Sequence, residues 1–295
     1  MFKSGIKIFA LFSLFILSGS HSVNSQILVT PEWLAARMTD PDLIILQVAS
    51  VRADYMREHI PGARFLWPGW LAESNPELSF ELPSIKKLKS IMEDWGINNT
   101  SNIVISHQLG DALTAARMYI TLDYLGMGER TSILDGGLES WKEAGKPVTQ
   151  AVPQYRRGKF KPAIKASVIA RLEDVKAALN HPQPRIVDGR SAGGFNAGGV
   201  GVFRPGHIPG AINLPFSLVF DAANRYQPAD TLRSRFSAAG LKSGDQIITY
   251  CTMGRAACPV YIAAKILGHP VQMYDGSMEE WSRREDLPVE NTSKK

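Results

Sequence analysis

Apolar residues in this chain form short continuous runs, separated by longer stretches in which they recur every three or four positions. "LIILQV" (Leu43–Val48), "NIVIS" from Asn102, "RIVD" from Arg185 and "QIITY" from Gln246 are rich in β-branched side chains and bounded by polar or turn residues. That pattern predicts buried strands. "LTAARMYITLDYLG" (Leu113–Gly126) and "ACPVYIAAKILG" (Ala257–Gly268) have helical spacing and close on glycine, as helix C-termini often do. Strand followed by helix, repeated, predicts an α/β fold built on mostly parallel sheets flanked by helices.

The pattern is written twice. "HIPGA" occurs at His59–Ala63 and at His207–Ala211, and "LDGGLESW" (Leu134–Trp141) is answered by "YDGSMEEW" (Tyr274–Trp281). Between these marks, Asn102–Gly126 parallels Gln246–Gly268 in the same order. A five-residue identity repeated in register implies duplication. The reading is therefore a leader at 1–25, an N-terminal domain at 26–148, a linker at 149–165 and a C-terminal domain at 166–290. The linker is marked by Pro153 and Pro162 and by the basic run Arg156, Arg157, Lys159, Lys161 and Lys165.

The leader changes the reading of compartment. Lys3 and Lys7 precede an apolar stretch from Ile8 to Leu17, and Val23-Asn24-Ser25 offers a cleavage site before Gln26. This is the layout of a secretory signal peptide, and the apolar stretch is short of the roughly 20 residues that span a bilayer. The expected mature chain is periplasmic or secreted, with no membrane segment after cleavage. Its Cys251 and Cys258 are too few for a disulfide scaffold. The charge balance is −5 over residues 26–150 and +8 over 151–295, so the half with the cysteines is the one that attracts anions. The basic residues are not interleaved with aromatics, which argues against nucleic acid.

Cys251 follows the strand "QIITY" directly, and Pro259 places a helix start near Ala257 or Cys258. Ligands of parallel sheets bind beyond the carboxyl ends of strands. A loop there can turn successive amides toward one centre and stabilise an anion, which would depress a thiol pKa and make a nucleophile. The alternative is a buried strand-end cysteine that merely packs. The repeat bears on this: the first copy has His107 at the position of Cys251, retains Gly110 for Gly254, and has Ala49 in place of Arg190. One working site and one scaffold copy follow. No metal or nucleotide motif is present in the sequence, and no cofactor is expected.

The chain resembles the tandem-domain rhodaneses, sulfurtransferases acting on thiosulfate or 3-mercaptopyruvate. "VDGRSAGGF", "RPGHIPGAINLPF", "YCTMGRA" and "YDGSMEEW" carry the resemblance, with the degenerate copy before them. It implies two rhodanese-like domains, the first inactive, and a six-residue loop at Cys251–Ala256 of the length this family uses for sulfur. It implies Cys251 as the catalytic nucleophile that accepts sulfur as a persulfide and passes it to cyanide, a small thiol or a protein thiol. Thr252, Met253, Gly254 and Arg255 of the loop would meet the small anionic donor, with Arg190 holding its anionic group; the alternative for Arg190 is a surface salt bridge or a pairing with Asp188. Arg204, in a Gly-rich insertion, could reach the donor or lie in a solvated loop. The arginine within "CTMGRA" favours thiosulfate over 3-mercaptopyruvate. The histidines of "HIPGA" are expected to be structural, since both halves have them, and Trp141 and Trp281 to be core or interdomain aromatics. Cys258 should pack in the helix after the loop, with a disulfide to Cys251 as the alternative. A cysteine phosphatase would need an arginine where Ala257 stands; a partner-fed persulfide carrier would need the same loop and remains a rival. The paired domains should bury their own mating surface, giving a monomer.

Overall fold

The computed structural model describes residues 26–108 and 110–291; the leader read over 1–25 lies outside them. The first half runs β1 (Leu28–Val29), α1 (Pro31–Ala35), β2 (Leu43–Val48), α2 (Arg52–Arg57), β3 (Arg64–Leu66), α3 (Ile85–Asp94), β4 (Asn102–His107), α4 (Ala112–Tyr124), β5 (Thr131–Leu134) and α5 (Gly137–Glu143). The second runs β6 (Ile169–Ala170), α6 (Leu172–Ala178), β7 (Arg185–Asp188), α7 (Ala192–Ala197), β8 (Ile212–Asn213), α8 (Ala229–Ala238), β9 (Ile247–Tyr250), α9 (Ala257–Ile266), β10 (Val271–Tyr274) and α10 (Ser277–Arg283). The sheets have orders β1-β5-β4-β2-β3 and β6-β10-β9-β7-β8, the same topology twice. Every pairing between these strands is parallel.

The continuous apolar runs are explained by burial on both faces. Ile44, Leu46 and Val48 of β2 enter one core, while Ile45 between them enters another. In β9, Ile247 and Ile248 divide in the same way. The inner faces of both sheets feed a single core that includes Leu46, Ile105 and Tyr119 from the first half and Val187, Ile247 and Tyr261 from the second. The outer faces are closed separately, around Trp141 in one half and Trp281 in the other. Both indoles are core residues, donating to the Pro147 and Pro288 carbonyls at 2.8 Å each.

Helix α4 packs against α9 across the shared core. Asp123 on α4 is 1% exposed and accepts the Tyr261 hydroxyl at 3.1 Å. Lys265 pairs with the same carboxylate, and Lys165 stands 3.6 Å from it. The linker has no helix or strand through residues 150–165, yet it is held down. Phe160 is buried in the shared core, and Arg157 pairs with Glu93 and Asp94 at 3.1 and 2.6 Å. Part of the basic run is thereby neutralised.

Asp123→Asn keeps an acceptor for Tyr261 but removes the charge that holds the lysines. The expected loss is about 1–2 kcal/mol, since both lysines are partly solvated. It should appear as a lower urea midpoint in a single transition, because the halves share a core; an unchanged midpoint would remove Asp123 from the account of domain docking.

Candidate active site

The loop Cys251–Ala256 leaves β9 beside the carboxyl end of β7 and enters α9 at Ala257. Cys251 is 1% exposed. The loop is fastened from below by the start of α10. The Ser277 hydroxyl accepts the Cys251 amide at 3.2 Å and the Gly254 amide at 3.1 Å, and donates to the Tyr274 carbonyl at 2.9 Å. The Met278 and Glu279 amides donate to the carbonyls of Cys251 and Thr252 at 3.1 and 2.8 Å. These contacts refine the sequence picture of an amide cradle. The Cys251 and Gly254 amides are taken up by Ser277, so an amide cradle would have to draw on those of Thr252, Met253, Arg255 and Ala256.

Gly254 has φ +74°, and a Cβ there would lie 2.9 Å from the Asp275 carbonyl oxygen. Only glycine fits. Its carbonyl accepts Arg117 Nη1 at 3.2 Å and the Cys258 thiol at 3.1 Å. Cys258 is fully buried, and burial pushes its thiol up to about 12, so it stays a donor through neutral pH. Both cysteines are free, which leaves the disulfide alternative unformed in this structure.

The Asp188 carboxylate grips Arg190, accepting Nε at 3.0 and 2.9 Å and Nη2 at 2.6 Å. Nη2 also donates to the Gly206 carbonyl at 2.9 Å, whereas Nη1 is buried with no hydrogen-bond partner among the described residues. One edge of the guanidinium is fixed, and its carbon stands 5.9 Å from the Tyr250 ring centroid. A Cβ on Gly189 would lie 2.6 Å from the Ala256 carbonyl oxygen, so the backbone next to Arg190 touches the loop. Arg255 is exposed, its guanidinium 5.8 Å from the Phe80 ring centroid. Thr252 and Met253 are half-buried along the Gly-rich insertion, with Thr252 Cγ2 and Met253 Cε 3.4 and 3.7 Å from where a Gly201 Cβ would stand.

Arg204 is engaged elsewhere. Its Nε and Nη2 donate to the carbonyls of Ser282, Trp281 and Arg284 at 3.0, 3.4 and 2.6 Å, pinning the insertion to the end of α10. Of the two openings left by the sequence, the structure favours neither a reaching donor ligand nor a solvated loop, but an anchor. His59 and His207 are buried, stacked on Tyr55 and Phe195 at 4.1 and 3.6 Å, and bonded to backbone carbonyls. They are structural in both copies.

The first copy preserves the loop's frame without its chemistry. Strand register places Ala49 where Arg190 stands and His107 where Cys251 stands. Gly137, at the position of Ser277, has φ +60°, and Gly110 has φ +90°. Asp111 takes the place of Arg255 and binds the Ser50 amide and hydroxyl at 2.9 and 2.5 Å. A cavity of about 390 Å³ remains there, lined by Asp54, Glu58, Asp111 and Glu139 with Arg57 as the one cation among its lining residues, so its balance is the wrong sign for an anionic donor. Sequence reasoning did not find Ser277, Asp275 or Arg117. The exchange of Gly137 for Ser277 inside the repeated motif was the available signal for the first.

A rhodanese-like domain model matches residues 30–144 and again 171–284. The chain belongs to the rhodanese family. It is 30% identical to 3-mercaptopyruvate sulfurtransferase of Escherichia coli strain K12 over 276 residues, covering 89% of this chain and 97% of that protein. It is 28% identical to thiosulfate sulfurtransferase of Azotobacter vinelandii, covering 90% of this chain and 97% of that protein. The solved structure of the E. coli 3-mercaptopyruvate sulfotransferase SseA matches with a TM-score of 0.77 at 29% identity, over 85% of this chain and 98% of that one. Among the described residues of this rhodanese, no group of three His, Cys, Asp or Glu side chains is arranged to hold a metal.

Ser277 itself has φ +51°, a strained conformation for serine that its glycine counterpart adopts freely. Ser277→Ala keeps that strain and leaves two buried amides without an acceptor, so stability should fall by about 2–3 kcal/mol in urea titration. Ser277→Gly relieves the strain and should lose less; equal stability of the alanine variant and the parent would discount the hydroxyl. Behind the loop, burial pushes the Glu81 carboxyl up to about 7, assisted by Asp275, Glu280 and Glu279 and opposed by Arg117. The folded state thus holds a proton that the unfolded chain releases near 4.5, and stability falls as pH rises between those values. Glu81→Gln should therefore stabilise the protein at pH 8 and leave it unchanged near pH 4.5; a gain of equal size at both would refute the titration.

Proposed function

We propose that this rhodanese transfers sulfur from thiosulfate to a thiophilic acceptor through a persulfide on Cys251. The observation that carries the reading is the placement, in one copy alone, of a thiol at the start of the loop after β9 and of Arg190 after the adjoining strand β7, with the backbone of Gly189 between that strand and Arg190 touching the loop. In the first half-reaction, the Cys251 thiolate attacks the outer sulfur of thiosulfate. The new S–S bond forms as the old one breaks, and sulfite leaves with the bonding pair. The enzyme is left as a persulfide anion, facing the remaining loop amides. In the second, a nucleophile such as cyanide or a thiolate bonds to the outer sulfur, and Cys251 departs as thiolate.

Arg255 supports thiosulfate over 3-mercaptopyruvate. It is an exposed cation within the loop, opposite a donor that carries two negative charges, whereas the carboxylate of 3-mercaptopyruvate needs only a single fork such as that of Arg190. The acceptor reading extends to cyanide, small thiols and protein thiols. The leader at residues 1–25 supports export, which would put the reaction in the periplasm or outside the cell.

Mass spectrometry of the exported protein after incubation with thiosulfate, and separately with 3-mercaptopyruvate, tests these statements together. The expected chain begins at Gln26 and gains one sulfur mass (about 32 Da) on Cys251, which cyanide removes and Cys251→Ser abolishes. Faster loading by 3-mercaptopyruvate would reassign the donor. Loading by neither would leave a partner-fed carrier and end the small-donor reading.

A further inference from the structure

Arg117 lies on α4, in the half that has no thiol, yet its side chain is 0% exposed and ends at the catalytic loop of the other half. Its Nη1 meets Asp275 Oδ1 at 2.5 Å and the Gly254 carbonyl at 3.2 Å, and Nη2 meets the Phe80 carbonyl at 3.3 Å. The second oxygen of Asp275 accepts the Leu82 amide at 2.8 Å. Arg117 Nε is buried with no hydrogen-bond partner among the described residues. A buried guanidinium–carboxylate pair with a donor left over is a poor source of stability, since desolvating both ions offsets most of their attraction. Its geometry points to another task. The Gly254–Arg255 peptide is planar and trans, so its carbonyl and its amide face opposite ways. Drawing the carbonyl back into the domain interface turns the Arg255 amide away from the interface.

We infer that Arg117 is a positioning residue for the sulfur-accepting loop, holding the Gly254 carbonyl at the rear so that the Arg255 amide is presented to the donor. The thiol-less domain thereby takes part in the reaction through a single side chain. With Arg117 absent, the Gly254 carbonyl keeps only the weak Cys258 thiol donor, and the left-handed glycine lets that peptide turn over. The carbonyl oxygen would then face the incoming anion in place of an N–H. This assignment rests on the persulfide reading of Cys251 and deepens it.

Single-turnover loading with thiosulfate separates positioning from folding, because the amplitude counts competent molecules and the rate constant reports loop geometry. Asp275→Asn keeps the shape and an acceptor for both partners; Arg117→Lys keeps the charge and loses the fork. Arg117→Met with Asp275→Asn removes both charges without stranding either. In Arg117→Lys and the double variant the persulfide rate constant should fall about tenfold or more while the amplitude stays near one sulfur per chain. Asp275→Asn, in which Arg117 keeps its bond to the Gly254 carbonyl, should load at close to the parent rate. The neutral double variant should also melt above Arg117→Met alone without regaining the rate. Rate constants within about twofold of the parent in the Arg117 variants that load would overturn the assignment, even if amplitude or melting temperature fell. Failure of all three variants to fold would make the pair a folding determinant and overturn it as well. A parent protein that takes no sulfur would instead defeat the sulfur-transfer reading, and the two failures are distinct.

Discussion

Everything at the site depends on how the residue Gly254 is held. Its amide is bound by Ser277 and its carbonyl by Arg117 and Cys258, and its left-handed backbone admits no side chain. These constraints come from separate segments: the start of α10, a helix of the opposite domain and the start of α9. A six-residue loop has far more conformations than one, and ordering each residue costs about 1–2 kcal/mol. The restraints offset that cost in advance, so the thiolate meets its donor with the surrounding dipoles already aligned.

Duplication makes this division of labour possible. Both halves have the same strand order and the same glycine-dependent turn after the central strand. In the first half, His107, Ala49 and Asp111 occupy the positions of Cys251, Arg190 and Arg255, and the remaining cavity is acidic. That half has been turned into a wall. Through α4 it contributes to a common core, and through Ser79–Leu82 it lays a strap across the second site. There Ser79 binds Glu279 and Leu82 binds Asp275. The domain read from the sequence as inactive has no nucleophile, but it is not remote from the chemistry.

The sequence made the repeated scaffold legible because local pattern decides it. β2 and β7 fall on the runs "LIILQV" and "RIVD", and α9 begins at Ala257 as Pro259 implied. Cys251 and Arg190 were legible for a related reason, since both follow strand ends where a parallel sheet exposes its ligand-binding edge. The clasp was not. Arg117 sits 158 residues from Asp275, and nothing in the spacing of either reveals their contact. Its one trace is an arginine in a helix otherwise buried on nearly all sides. Arg204 illustrates the converse: its place in a Gly-rich insertion suggested contact with the donor, whereas the carbonyls that end α10 were a closer target.

The charges around the loop have an order that only the fold displays. Behind it lie Glu81, Asp275, Glu279 and Glu280; Arg190 follows the adjoining strand end, and Arg255 is exposed within the loop with its guanidinium over Phe80. A persulfide anion formed between them would be repelled by four carboxyls at the rear if these stood alone. Arg117 lies within that group and opposes it, and the upward shift of Glu81 keeps part of its negative charge suppressed near neutrality. Glu279 and Asp275 are further occupied in accepting the strap's amides and hydroxyl. The acidic residues therefore act as ligands that bind one domain to the other, with Arg117 as their counter-ion. Arg190 is itself paired with Asp188, so the cation left without an ion-pair partner among the described residues of the loop is the exposed Arg255, whose sign an anionic donor and an anionic enzyme intermediate both require.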